Sequence, residues 1–306
     1  MLTTLPSLLA RAEHGRYAVG AFNVYNLETI QAVVAAAEAE RSPAILQTSE
    51  AAIAYAGMET LGALVHLFAK KTKIPLVFHL DHGKNEKLIM EAIKSGWYGS
   101  VMFDGSALPY KKNLKLTKKI VKAAHARGVA VEAEVGAIAG IEDFVSVKER
   151  DAHLTSPEQA LEFAIETGCD ALAVAIGTKH GAYKFNGDCQ LDFERLAEIK
   201  KLVKTPLVLH GASGVPAAVK KTAMKFGAKI AEAKGVSDPA IKKAVKLGIR
   251  KINIDTDLRI ALNAGVRQFL TEHPEDIDPR AFLASGKNEM TQVIRQKMRL
   301  FGSSKK

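Results

Sequence analysis

The chain has 306 residues, is 47% hydrophobic and 25% charged, and carries a formal charge of +10. This composition excludes a disordered or fibrous protein, the length suffices to bury a full core, and no apolar run approaches the ~18 residues of a membrane helix. The lysines come as pairs scattered over helix-like segments (111–112, 118–119, 200–201, 220–221, 242–243), which reads as solvated helix faces that help attract an anionic substrate, with no nucleic-acid or membrane partner.

The chain opens with MLTTLPSLLARAEHGRY. It lacks a basic leader region and Pro6 interrupts it, so a short first helix is expected, not a signal peptide. Eight strand-like runs follow, at 17–24, 44–49, 75–80, 99–104, 129–135, 171–176, 206–210 and 249–254. Amphipathic helical patterns lie between them, at 27–40, 60–71, 114–128, 157–168, 193–204 and 239–248; Gly128 and Gly168 close two of them as helix C-caps. Eight alternating βα units predict an α/β protein, a (β/α)8 TIM barrel in one domain, 1–306, a fold that needs ~250 residues. The surplus falls in a loop at 136–156, a segment at 211–238 and a C-terminal helical extension at about 288–301. A doubly wound open sheet is the alternative. Cys169 and Cys189 are isolated, without CxxC spacing, which fits a reducing, cytoplasmic setting. The lysine-rich stretch 215–237 carries no assigned function.

The chemistry concentrates at strand ends. FHLDHG (78–83), GTKHG (177–181) and VLHG (208–211) each end a strand on a His-Gly pair: His82–Gly83, His180–Gly181 and His210–Gly211. In parallel α/β folds functional side chains gather at the carboxyl ends of strands, and three imidazoles suit a divalent metal with one position left open. The competing reading is that each histidine caps its strand through a backbone hydrogen bond. His79, inside its strand, reads as a satisfied core residue. Asp81 could be a general acid/base or could orient a ligand. Asp104 and Glu134 are further carboxylates at the same mouth; Asp104 could equally be a helix N-cap. The loops HGAYK (180–184), HGASG (210–214) and NIDTDLR (253–259) resemble an anion site, since barrels often bind phosphate after strands seven and eight.

Seven sets of residues, in order along almost the whole chain, resemble the class II, metal-dependent fructose-bisphosphate aldolases. They are VGAFNVYN (19–26), QTSEAA (47–52), HLDHG (79–83), EAEVG with GIED (132–136 and 140–143), AIGTKHGAYKF (175–185), PLVLHGASG (206–214) and INIDTDLR (252–259). The sibling tagatose-bisphosphate aldolases share most of them. The resemblance implies reversible aldol cleavage of fructose 1,6-bisphosphate in glycolysis and gluconeogenesis, with His82, His180 and His210 holding a catalytic zinc ion. It implies Asp81 as the acid/base at the C4 oxygen, and Asp104 and Glu134 near a second divalent metal position. Gly181, Lys184, Gly211 and Ser213 would hold the dihydroxyacetone-phosphate end, where backbone groups also hold Na+ or K+. Asn253, Asp255 and Thr256 would contact substrate, and Asn23, Ser49 and Arg259 the sugar and the distal phosphate. A second carboxylate must handle the C3 proton, and the resemblance favours Glu142, over Asp143, on a lid formed by the 136–156 loop. A homodimer or homotetramer is implied. Lys179, inside GTKHG, departs from the small polar residue usual there; it is expected not to form an imine, because a metal supplies the electron sink. The alternative within the class is tagatose 1,6-bisphosphate cleavage; alternatives of other kinds are a barrel that binds RNA or polyanions without catalysis and a metal-free isomerase.

Overall fold

The computed structural model describes residues 1–136, 139–142, 145–147, 154–180, 191–230 and 235–306, with the backbone alone for 139–142, 145–147 and 179–180. Strands β1 (Val19–Asn23), β2 (Ala44–Thr48), β3 (Leu76–Gly83), β4 (Ser100–Phe103) and β5 (Ala130–Val135) occupy the first half. β6 (Ala139–Glu142), β7 (Val145–Val147), β8 (Ala171–Val174), β9 (Lys179–His180), β10 (Leu207–Leu209) and β11 (Ile249–Ile254) follow. Eight of them close a parallel barrel in the order β1-β11-β10-β8-β5-β4-β3-β2, as the alternating pattern predicts. The other three form a separate sheet ordered β7-β6-β9.

Each barrel strand is buried on both faces, which explains why the runs read as continuously apolar. Side chains alternate. Phe22, Leu46, Phe78, Val101, Val131 and Ile252 face outward into the core shared with the helices. Val19, Ile45, Val77, Ala130, Ala171 and Val208 face inward and pack on Leu5, Leu8 and Leu9 of α1 (Leu5–Gly15), which plugs the end of the barrel where the strands begin. Toward the strand ends the same inward register turns polar. It carries Asn23 on β1, Gln47 on β2, His79 and Asp81 on β3, Glu132 and Glu134 on β5, His210 after β10, and Lys251 and Asn253 on β11, all buried. Cα pairing of Gln47 with both Asn23 and His79 sets these residues side by side around the wall.

Most predicted helices are present within a few residues: α2 (Leu27–Glu40), α4 (Met58–Lys71), α6 (Tyr110–His125), α7 (Pro157–Thr167), α8 (Phe193–Leu202) and α10 (Asp238–Lys246). α3 (Glu50–Ala56), α5 (Glu86–Ser95), α9 (Ala217–Lys225) and α11 (Thr256–Glu272) join them; α9 lies within the segment that drew no secondary-structure expectation. Two expectations are corrected. The C-terminal helix, α12, runs Pro279–Leu300 and so begins well before 288; Asp278 caps it, accepting from the Arg280 amide, and Pro279 starts it. Gly286 hides that start because it reads as a break. It serves close packing instead: a Cβ there would stand 2.6 Å from Leu262 of α11. The 136–156 stretch is not wholly loop, since β6 and β7 pair antiparallel and β6 adds parallel to β9. Strands this short carry too little periodicity to read, and β9 lies beyond α7. No single helix among the described residues is long and apolar enough to cross a membrane.

Glu40, buried at the end of α2, ties α12 to the barrel. It accepts from Arg295 at 2.9 Å, from Arg299 at 2.6 and 2.9 Å, and from Ser304 at 2.9 Å. The Arg299 hydrogen bond leads in lowering its pKa from 4.5 to about 2, against the cost of burial. A lowered carboxyl stabilises the fold above its ordinary value and loses that contribution as pH falls to the folded one. Glu40→Gln is therefore expected to cost about 1–2 kcal/mol at pH 7, discounted because Arg299 is half exposed. In thermal melts the gap to wild type should close between pH 4.5 and about 2; a gap constant with pH would contradict the assignment.

Candidate active site

β3 delivers two consecutive residues to the barrel mouth, which strict alternation forbids. Asp81 follows the inward register of Val77 and His79. His82 should then point outward, but its φ of 46° lies in the left-handed region and the ladder to β4 shifts register between Leu80 and Gly83. A non-glycine residue held there stores strain of roughly 1–3 kcal/mol, a cost that clusters at functional sites. The result brings the His82 ring to 4.6 Å from the His210 ring, edge to face at 70°.

Each of these two rings is held by carboxylates. His82 Nδ1 donates to Asp104 Oδ2 at 3.0 Å, and the other Asp104 oxygen accepts from the Ser106 amide (3.1 Å) and hydroxyl (2.6 Å). His210 Nε2 donates to Glu132 Oε1 at 2.8 Å, while its Nδ1 stands 3.3 Å from Glu134 Oε2. Asp81 accepts at both oxygens, from Asn23 Nδ2 at 3.0 Å and Asn253 Nδ2 at 2.9 Å. Those amides are fixed in turn. Gln47 Nε2 donates to Asn23 Oδ1 at 2.7 Å, and Lys251 Nζ donates to Asn253 Oδ1 at 2.7 Å while standing 2.9 Å from Glu132 Oε2. A single polar chain thus runs from Gln47 through Asp81 to His210. His79 is a buried core residue as expected, its Nδ1 hydrogen-bonded to Ser100 Oγ at 2.9 Å, but it is only half satisfied: its Nε2 has no hydrogen-bond partner among the described residues and stands 3.7 Å from Glu132 Oε2.

The electrostatics favour positive charge between the rings. Burial pushes the His82 imidazolium down, but Asp81, Asp104 and Glu134 outweigh it and hold its pKa well above the ordinary value. Burial and the His82 charge depress His210, yet Glu132 and Glu134 raise it overall. Burial would raise Glu132 and Asp104; Lys251 with His210, and His82 with Ser106, bring them well below the carboxylate range instead. A divalent cation meets the same field. One ligand atom each from His82, Glu134 and His210 lies within 4.8 Å of the others, all three residues buried. Imidazole and carboxylate donors of this kind fit a first-row divalent metal. Asp104 stands outside that trio, holding the ring of His82.

Asn23 also faces a cavity of about 470 Å³, lined by Ser49, Tyr55 and Arg259 among others. Arg259 forks onto Asp255, Nε to Oδ1 at 2.9 Å and Nη2 to Oδ2 at 2.8 Å. Asp255 and Thr256, both buried, begin α11. Gly211 takes a φ of 60° directly after His210, and Ser213 is buried beside it. The side chains of Glu142, Lys179 and His180 lie outside the described residues, as do Asp143, Gly181 and Lys184 entirely. Sequence reasoning missed Glu132, Lys251 and Gln47. The signal for the first two was present, since each lies two positions before a singled-out residue on the same inward face.

The class-II fructose-bisphosphate aldolase family model matches residues 3–306. A curated fructose-bisphosphate aldolase from Thermus caldophilus is 47% identical over 303 residues, 99% of each chain. A sulfofructosephosphate aldolase from Alkalicoccus urumqiensis is 40% identical over 300 residues, 98% of this chain and 96% of its own. Among solved structures, the YdjI aldolase from Escherichia coli K12 superposes with a TM-score of 0.79 at 32% identity, covering 100% of this chain and 99% of that one. With the match spanning nearly every residue, and the barrel mouth built as described, the chain belongs to the class-II fructose-bisphosphate aldolase family.

Proposed function

We propose that the chain cleaves fructose 1,6-bisphosphate reversibly to dihydroxyacetone phosphate and glyceraldehyde 3-phosphate, using zinc, as a cytoplasmic homodimer or homotetramer. The observation that carries this reading is Asp81: a buried carboxylate held at both oxygens by amides, beside two imidazoles that carboxylates orient. The family is metal-dependent, and this donor set suits the metal. His82 through Nε2, His210 through Nδ1 and, by the family resemblance, His180 would hold the zinc; Glu134 and Asp104 would orient the histidines or hold a second divalent ion. When bound, the metal supplies a Lewis acid for the substrate carbonyl.

The chain's own residues do the rest. Asp81 takes the C4 hydroxyl proton in cleavage and returns it in condensation. Asn23 and Asn253 keep its carboxylate aimed, so little reorientation accompanies proton transfer. Asn253, Asp255 and Thr256 contact the sugar. Gly211 and Ser213, with Gly181 and Lys184, take the dihydroxyacetone-phosphate end, where backbone groups also hold Na+ or K+. Asn23, Ser49 and Arg259 take the distal end. A guanidinium already fixed by Asp255 in the wall of the cavity suits a bidentate grip on phosphate. Arg259→Ala is expected to weaken fructose 1,6-bisphosphate far more than a substrate lacking the aldehyde-side phosphate; equal losses on both would refute the role.

Glu142 is assigned the C3 proton. Glu142→Ala should slow turnover by roughly 10²–10⁴-fold, the usual worth of a positioned acid/base, and slow exchange of the C3 proton of dihydroxyacetone phosphate with solvent, while zinc content stays intact. Normal exchange there, with loss in Asp143→Ala, would transfer the role to the neighbour.

The deciding experiment is steady-state cleavage of fructose 1,6-bisphosphate and of its C4 epimer, tagatose 1,6-bisphosphate, with and without chelator. Fructose 1,6-bisphosphate should be preferred, and its cleavage lost on chelation and restored by zinc. Preference for the epimer, chelator-insensitive cleavage, or salt-sensitive RNA binding without cleavage would each overturn the reading.

A further inference from the structure

The C-terminal helix reaches into the loop that follows β10. Lys297, near the end of α12, is buried with 5% of its side chain exposed. Its Nζ donates to the Gly214 carbonyl at 2.8 Å and stands 2.8 Å from Asp257 Oδ2. That same carboxylate oxygen accepts from the Gly214 amide at 3.3 Å. Asp257, fully buried, sits in the first turn of α11, one residue past Thr256 and two past Asp255. Lysine, aspartate and the two backbone groups of Gly214 therefore close a ring that locks the β10 loop, the start of α11 and α12 together. The loop is gripped from its other side as well. The Ser213 carbonyl accepts from the Val236 amide at 3.3 Å, and a Cβ on Gly214 would stand 2.4 Å from the Val236 carbonyl oxygen.

A buried ion pair contributes little net stability, because desolvating both charges offsets their attraction. What it adds over an apolar pair is direction. The four contacts fix the peptide adjoining Ser213 on a scale where a displacement of about 1 Å can change rate or binding by as much as 10²-fold. We propose that Lys297 is a positioning residue for phosphate recognition: acting through Asp257 and Gly214, it holds the 211–214 loop where a substrate phosphate docks. The proposal rests on the reading of that loop as the dihydroxyacetone-phosphate subsite.

The test compares Lys297→Met, Lys297→Arg and the charge-free pair Asp257→Leu/Lys297→Met in the full-length, metal-loaded protein, below each variant's melting temperature. Lys297→Met should raise KM for fructose 1,6-bisphosphate, and Kd for dihydroxyacetone phosphate by calorimetry, by about 10–100-fold, with kcat and metal content changing far less. Lys297→Arg should recover most of the affinity. Where Lys297→Met fails to fold, because Asp257 is left buried without its cation, the double variant carries the test. It should fold and still bind weakly, since Gly214 has lost both anchors. Wild-type KM and Kd in a folded double variant, or a Lys297→Met whose only change is a lower Tm, would overturn the proposal. If the wild-type protein did not cleave fructose 1,6-bisphosphate, the functional reading would fail separately. Inorganic phosphate affinity, compared across the same variants, would still decide whether Lys297 positions the loop.

Discussion

His210→Ala is expected to strip the metal and lower aldol cleavage by about 10³-fold or more, the scale of several kcal/mol of Lewis-acid stabilisation. Both nitrogens of His210 are directed: Nε2 to Glu132 at 2.8 Å and Nδ1 toward Glu134 at 3.3 Å. The Glu132 bond selects the tautomer that leaves the Nδ1 lone pair available to a metal. Glu132→Gln should therefore weaken metal affinity by a smaller factor, about 10–100-fold, because the ring is mis-set and not removed. Metal content per chain, measured after dialysis against a competing chelator, separates the cases. His82→Ala/His210→Ala retaining one zinc per chain would sink the assignment, and so would His210→Ala that lost activity with its metal in place.

The barrel was legible because strands buried on both faces are apolar throughout, and eight such runs separated by helical patterns admit few folds. Two of the three singled-out histidines, His82 and His210, were legible through their repeated glycine; His180 lies in β9 of the separate sheet, beyond the end of β8 at Val174. What escaped was whatever depended on side-chain direction. Glu134 stood out at a strand end, but Glu132 and Lys251, each inside its strand, were not singled out. Only closure of the barrel turns both inward, where each neutralises the other at 2.9 Å. Asp81 and His82 were both singled out, yet an alternating strand offers one of them to the site. A left-handed His82 and a register shift resolve that conflict, and neither is written in residue type. The β6–β7 hairpin was missed because its strands are short and one partner is remote in sequence. The start of α12 was missed because Gly286 serves a helix crossing instead of a helix end.

Asp81→Asn is expected to reduce kcat for cleavage by roughly 10²–10⁴-fold with metal content unchanged and KM within a few-fold. The substitution keeps the shape of the side chain and removes its capacity to take a proton. It also brings a hydrogen-bond conflict. Asn23 and Asn253 each present an amide N–H to one carboxylate oxygen. A carboxamide at position 81 can satisfy only one of them with its oxygen and turns its own donors toward the other. Gln47 and Lys251 prevent an easy rearrangement, since they occupy the carbonyl oxygens of the same two asparagines. Asn23→Ala and Asn253→Ala should thus lower kcat less than Asp81→Asn, because each leaves the carboxylate present and one anchor in place. Three measurements decide the matter together: metal per chain, kcat on fructose 1,6-bisphosphate, and exchange of the C3 proton of dihydroxyacetone phosphate. That exchange proceeds without any C4 hydroxyl. It should therefore survive in Asp81→Asn while cleavage collapses. Loss of both in parallel would move Asp81 from the C4 oxygen to a general structural role, and near-normal kcat would remove it from the chemistry altogether.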